Sequence, residues 1–190
     1  MNIFFTSDLH LFHKKIIEFE NRPFASIEDM TEKLIENWNK VVNKGDEVFI
    51  LGDFSFGKPE ETMDALKRLN GQKFLVEGNH DRVTPEIKKQ FVWVKPYVKI
   101  KRKNKTMVLC HYPIHVWENQ HWGTLHFYGH VHNDKARKTI KCDMVNSYNV
   151  GVDVNNFTPV LMEDAIILAR QTENRVQPYI IKSSSSSNKS

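Results

Sequence analysis

No apolar run in the 190 residues approaches the roughly 18 needed for a membrane-crossing helix. A helical membrane anchor is therefore not expected. The N-terminus has no basic leader, and Asp8 and His10 interrupt its short apolar run, so no signal peptide is expected either. Cysteine is scarce, with only Cys110 and Cys142. Reduced thiols in a cytoplasmic protein fit that scarcity better than a disulfide framework. Net charge is small: 27 Lys and Arg against 23 Asp and Glu leave +4. This suits an anionic substrate and does not by itself indicate nucleic acid. There is no internal repeat and no linker before residue 183. One domain over residues 1–182 is expected, followed by a disordered serine-rich tail at 183–190.

Against these absences stand nine histidines. Their placement follows the strands. Ile3, Phe4 and Phe5 lie in an apolar run, Asn2 to Thr6, that reads as a strand buried on both faces. It breaks into Asp8-Leu9-His10. Ser26 followed by Asp29 reads as the start of a helix. That helix has Ile27, Met30, Leu34, Trp38 and Val41 along one face, a core stripe by its spacing. Glu47 to Leu51 reads as a strand ending in Gly52-Asp53. A helix from Pro59 to Leu69 leads to a third strand, Lys73 to Val76, which ends in Gly78-Asn79-His80-Asp81. Thr84 to Gln90 reads as a short helix. Tyr97 to Ile100 and Thr106 to Cys110 read as paired strands, the second ending at His111. Leu125 to Tyr128 reads as a strand ending in Gly129-His130-Val131-His132. Tyr148 to Val154 reads as a further strand, and Glu163 to Arg170 as a last helix. The alternation indicates an α/β fold with polar side chains at the C-terminal ends of the strands, where such sheets place their sites.

Five corners thus carry Asp8 and His10; Asp53; Asn79 and His80; His111; His130 and His132. One histidine alone would be a hydrogen-bonded core residue. Carboxylates and imidazoles repeated after successive strands are hard to explain by packing. The donor mixture suits Mn, Fe, Zn, Co or Ni rather than Ca or Mg alone.

In order and spacing, Asp8-x-His10, Gly52-Asp53, Gly78-Asn79-His80-Asp81, His111 and Gly129-His130-x-His132 resemble the calcineurin-like metallophosphoesterases over roughly residues 1–170. Asn21-Arg22-Pro23-Phe24 and Asn149-Val150-Gly151-Val152-Asp153 resemble the small single-domain bacterial and phage type. The resemblance implies a four-layer αββα sandwich of two mixed β-sheets flanked by helices. It implies two divalent or trivalent transition-metal ions about 3.5 Å apart, with manganese the metal of choice in vitro. Asp8, His10 and His132 would hold one ion and Asn79, His111 and His130 the other. Asp53 would bridge them, with a hydroxide as second bridge and attacking nucleophile. Two divalent ions, two carboxylates and that hydroxide leave about +1, a charge that attracts a phosphoryl oxygen. His80 would protonate the leaving oxygen, and Asp81 would orient the turn or a ligand imidazole.

The activity implied is phosphate-ester hydrolysis. A phosphodiesterase leads, and a phosphomonoesterase or nucleotide phosphohydrolase is the alternative. A catalytically dead metal-binding scaffold is a further reading, disfavoured because every motif histidine is present. Phe56 stands where protein phosphatases of the family carry an aspartate, so a protein substrate loses weight. A small phosphate ester or nucleotide is the expected substrate; nucleic acid is compatible but not required. Five of the seven residues from Lys99 to Lys105 are basic, read as a solvated hairpin tip ahead of an anion site. His13 and Arg22 are open between site and structural roles. Trp117, Trp122, His115 and His121 are open between a base-stacking wall and simple packing.

Overall fold

The structure is a computed structural model and describes residues 1–133 and 145–171. Cys142 and the serine-rich tail lie outside them. Sheet one has five strands in the order β4-β3-β2-β1-β9: β1 (Ile3–Thr6), β2 (Glu47–Ile50), β3 (Gln72–Val76), β4 (Val94–Lys95) and β9 (Val160–Leu161). The first four are parallel, and β9 runs antiparallel to β1. Sheet two has the order β5-β6-β7-β8: β5 (Tyr97–Arg102), β6 (Lys105–Cys110), β7 (Leu125–Tyr128) and β8 (Ser147–Asn149). Here β5 and β6 form an antiparallel hairpin, and β6, β7 and β8 are parallel. The α-helices among the described residues are α1 (Lys14–Phe19), α2 (Ile27–Val41), α3 (Pro59–Arg68), α4 (Pro85–Lys88) and α5 (Met162–Gln171).

Because side chains alternate across a strand, the buried run of β1 serves two cores. Ile3 and Phe5 join Phe49, Leu51, Phe74 and Val76 against Met107, Leu109, Leu125 and Phe127 of sheet two. This is the layer between the sheets, closed by Ala165, Ile166 and Ala169 of α5. Phe4, Val48, Ile50 and Leu75 face the other way, onto Ile16 of α1, Met30, Leu34 and Trp38 of α2, Leu66 of α3 and Ile87 of α4. The chain is therefore two mixed sheets flanked by helices, as the motif resemblance implies. The α2 stripe is core: Met30, Leu34 and Trp38 are buried. Ser26 caps that helix by accepting from the Asp29 N–H at 3.1 Å, and the Asp29 carboxylate accepts in turn from the Ala25 N–H at 3.1 Å.

Two local expectations change. Tyr148 to Val154 does not continue as a strand. It leaves the sheet after Asn149 and curls into a 3₁₀ turn, Val152–Val154. The Asn155 side chain holds the curl by donating to the carbonyls of Asn149 at 3.1 Å and Gly151 at 2.8 Å. The hairpin strands β5 and β6 are longer than expected and meet in a two-residue turn, Lys103-Asn104, both at positive φ. In the basic stretch Lys99, Arg102 and Lys103 pair with Glu118, Glu47 and Glu163, which is the solvated-tip reading.

Candidate metal centre

The C-terminal ends of β1, β2, β3, β6 and β7 converge. The loops after β1 and β2 run side by side: Asp8 and His10 donate their N–H groups to the carbonyls of Gly52 and Asp53, both at 3.0 Å. The His130 N–H of sheet two donates to the Asp8 carboxylate at 3.0 Å, which ties the sheets together at the site. Two glycines are required by closeness alone. A Cβ on Gly129 would lie 1.9 Å from Ser7 Oγ and 2.5 Å from Asp8 Oδ2, and one on Gly78 would lie 2.3 Å from Asp53 Oδ1. Asp8, His10, Asp53, His130 and His132 all have φ between 46° and 69°. Left-handed backbone in residues other than glycine costs about 1–3 kcal/mol each and gathers where structure is committed to a site.

Two trios place one ligand atom each within 4.8 Å of one another: Asp8, His10 and His132, and Asp8, Asp53 and His111. Asp53 Oδ2 lies 3.5 Å from His10 Nε2 and 3.5 Å from His111 Nε2, midway between the two groups. Asn79 Oδ1 is 3.0 Å from His111 Nε2. His130 falls in neither trio; its exposed ring packs edge-on to His111 with centroids 5.1 Å apart. Asp8 belongs to both trios, so two carboxylates are central where the motif resemblance made Asp53 the bridge. His80 is exposed, its N–H donating to Asp53 Oδ1 at 3.0 Å, and its ring centre lies 6.0 Å from that of His10.

These side chains fit metal ions. The His111 Nδ1–H donates to the Leu51 carbonyl at 2.8 Å, which turns Nε2 toward the oxygens of Asn79 and Asp53. A nitrogen and two oxygens thus converge in the way a cation would be held. His132 Nδ1 donates to Asp153 Oδ2 at 2.8 Å, leaving its other nitrogen for the site. A carbonyl or carboxylate behind the imidazole is the usual support of a metal-bound histidine. His10 is buried with neither ring nitrogen hydrogen-bonded, a costly state that an ion removes.

Burial pushes the Asp8 carboxyl up to about 6, although His132 and His111 oppose the rise. Burial also pulls His10 far below the usual imidazole range, helped by His132 and Arg22. Burial would raise Asp153, but hydrogen bonds from His132 and Arg22 hold it below the usual carboxylate range. Burial would likewise lower His132, yet Asp153 and Asp8 hold it above the imidazole range.

Arg22 takes the structural role. Its buried guanidinium clasps Asp153 at 2.7 and 2.8 Å and donates to the carbonyls of Asp8 at 2.7 Å and Leu9 at 2.9 Å. It locks the first loop to the carboxylate behind His132. Asp81 orients the turns: its carboxylate accepts from the N–H groups of Asp53, Phe54 and Gly78 at 2.8–3.0 Å. Trp117 is buried and donates to the Thr124 carbonyl at 2.9 Å, so it packs. Trp122 is 79% exposed on the Gln120–Trp122 turn. Sequence reasoning missed the supporting part played by Asp153, whose partner Arg22 lies 131 positions away.

The family comparison agrees with this geometry. The description Calcineurin-like phosphoesterase matches residues 1–164.

The chain belongs to the calcineurin-like phosphoesterase family.

It is 32% identical over 167 residues to an uncharacterized protein of Methanocaldococcus jannaschii, covering 85% of this chain and 87% of that one. It is 45% identical over 87 residues to the Gene 66 protein of Mycobacterium phage D29, covering 44% and 42%. Among solved structures it is similar to the protein of unknown function AQ665 from Aquifex aeolicus, with a TM-score of 0.70 and 26% identity, over 88% of this chain and 98% of that one. Family membership makes this chain a metal-dependent phosphoesterase, and no described helix is long and apolar enough to cross a membrane.

Proposed function

We propose that the protein is a phosphodiesterase acting on small or nucleotide-type esters, with two transition-metal ions held by Asp8, His10 and His132 on one side and Asn79, His111 and His130 on the other. The observation that carries the paired centre is Asp53 Oδ2, 3.5 Å from a ring nitrogen on each side; the diester preference rests on analogy with the small members of the family. When bound, such a pair supplies Lewis acidity and lowers the pKa of water from 15.7 towards ~7. The chain's own residues do the rest. Asp53 sits between the two sides, its other oxygen engaged by the His80 N–H. Leu51 and Asp153 engage Nδ1 of His111 and His132, so the outer nitrogen of each ring is the one turned to the site. His80 stands at the solvent edge of this cluster and gives a proton to the leaving oxygen. We also place the reaction in the cytoplasm, in keeping with two cysteines in 190 residues, and take manganese as the first ion to test.

The test is a panel of bis-aryl and mono-aryl phosphates with manganese-loaded protein. Faster turnover of the diesters supports the proposal, and a clear monoester preference replaces it with the phosphomonoesterase reading. His80→Ala with leaving groups of graded pKa checks the proton donor. Poor leaving groups should suffer most, and an equal loss across the series removes the acid role.

A further inference from the structure

A run of rings leads from solvent to the metal centre. Phe56 and His13 are stacked face to face, their centroids 4.0 Å apart and their planes 8° from parallel. Phe19, 64% exposed, meets His13 edge-on at 6.5 Å. At the inner end the Phe56 ring lies 5.2 Å from that of His10 and 5.0 Å from that of His80. Phe56 keeps 39% of its surface exposed despite these contacts. One exposed phenylalanine needs no explanation. Phe56 differs in being pinned in place: its N–H donates to the Leu11 carbonyl at 2.9 Å, and Leu11 and Ser55 form a parallel bridge. The backbone is thus fixed where the side chain begins, and His13 on one side and His80 on another flank the apolar ring. A carboxylate at position 56 would bring negative charge beside an anionic substrate; phenylalanine brings a π face instead.

We propose that Phe56, backed by His13, is a specificity-determining wall that stacks the nucleobase of the departing alcohol, so that the preferred ester has a nucleoside as its leaving group. This rests on the hydrolytic reading above. The direction follows from His80: a proton donor 5.0 Å from the Phe56 ring means that the group leaving past His80 emerges along Phe56. Stacking of bases on aromatic side chains tolerates any base, so the wall selects for a base and not for its identity.

The experiment measures binding and turnover separately. Manganese-loaded wild type and Phe56→Leu are titrated calorimetrically with a nucleoside 5′-monophosphate and with ribose 5-phosphate, which lacks the base. Wild type should favour the base-bearing ligand by about tenfold, and Phe56→Leu should cut that preference to about threefold or less. The kcat/KM ratio of a dinucleotide to its abasic counterpart should fall in parallel, and His13→Ala should lower it by a smaller factor. Equal binding of the two ligands by wild type, or an equal loss of both in Phe56→Leu, overturns the wall. Hydrolysis of phosphate esters with no base preference leaves the hydrolytic reading standing and removes the wall. A base preference in binding, lost in Phe56→Leu, with no ester hydrolysed keeps the stacking contact and removes the hydrolytic reading.

Discussion

The two sides of the centre are held by different means. On the His132 side Asp8 and His10 are almost fully covered, His132 is partly covered, and the charged Arg22–Asp153 pair clamps both the first loop and the His132 ring. On the His111 side only His111 is buried; Asn79 and His130 are exposed. Its supports are neutral. The Leu51 carbonyl orients His111. The buried imidazole of His126 accepts from the Ile114 N–H at 3.0 Å and donates to the Val108 carbonyl at 3.1 Å, fixing the loop after His111. A clamped side is shaped for an ion before it arrives, whereas an open side leaves room for substrate. The His132 side should therefore bind its ion more tightly.

Asp53→Asn breaks the comparison outright, because Asp53 touches both sides. Turnover should vanish and the two sides should bind metal independently; retained turnover would remove Asp53 from its central role. Arg22→Ala should cost about 3–5 kcal/mol by taking the guanidinium away from buried Asp153 and from the Asp8 and Leu9 carbonyls. Urea unfolding reads this, and Arg22→Lys should not rescue it, since a point charge cannot replace the planar fork. A loss under 1 kcal/mol would mean that the clamp is ornamental.

The neutral support on the other side responds to pH. Burial pulls His126 down to about 4. The unfolded chain takes up a proton near 6.5, but the folded chain does so only near 4. Stability from this group is complete above 6.5 and is lost as pH falls through that window. The loss reaches about 3 kcal/mol. The difference between wild type and His126→Gln in urea unfolding at pH 7 and pH 4.5 isolates it, and a pH-independent difference would contradict it. Asp153→Asn should weaken metal binding on the His132 side about 10–100-fold and spare the other side. Asn79→Asp has the smallest expected effect: it removes surplus positive charge and should raise the KM for phosphate esters a few-fold, about 1 kcal/mol. An unchanged KM at full metal occupancy would count against it.

The candidate donors were legible because they follow the ends of five strands, where a short apolar run and a polar corner are adjacent in the chain. Their supports were not. Arg22 and Asp153 meet across 131 positions, and Asp153 sits in a 3₁₀ turn that its β-branched neighbours disguise as strand. His126 lies within the apolar run of β7, where nothing local distinguishes a structural imidazole from a ligand. The helix α1, six residues long, is too short for its period to register. The two-sheet division came from the motif resemblance and not from the strand pattern, since sheet partners are a property of register between distant strands.

The most direct test of the paired centre is anomalous diffraction from a crystal soaked in manganese. Two peaks about 3.5–4 Å apart, with Asp53 between them and the His132-side peak filling first, are the predicted result. A single peak, or density remote from Asp53, would contradict it.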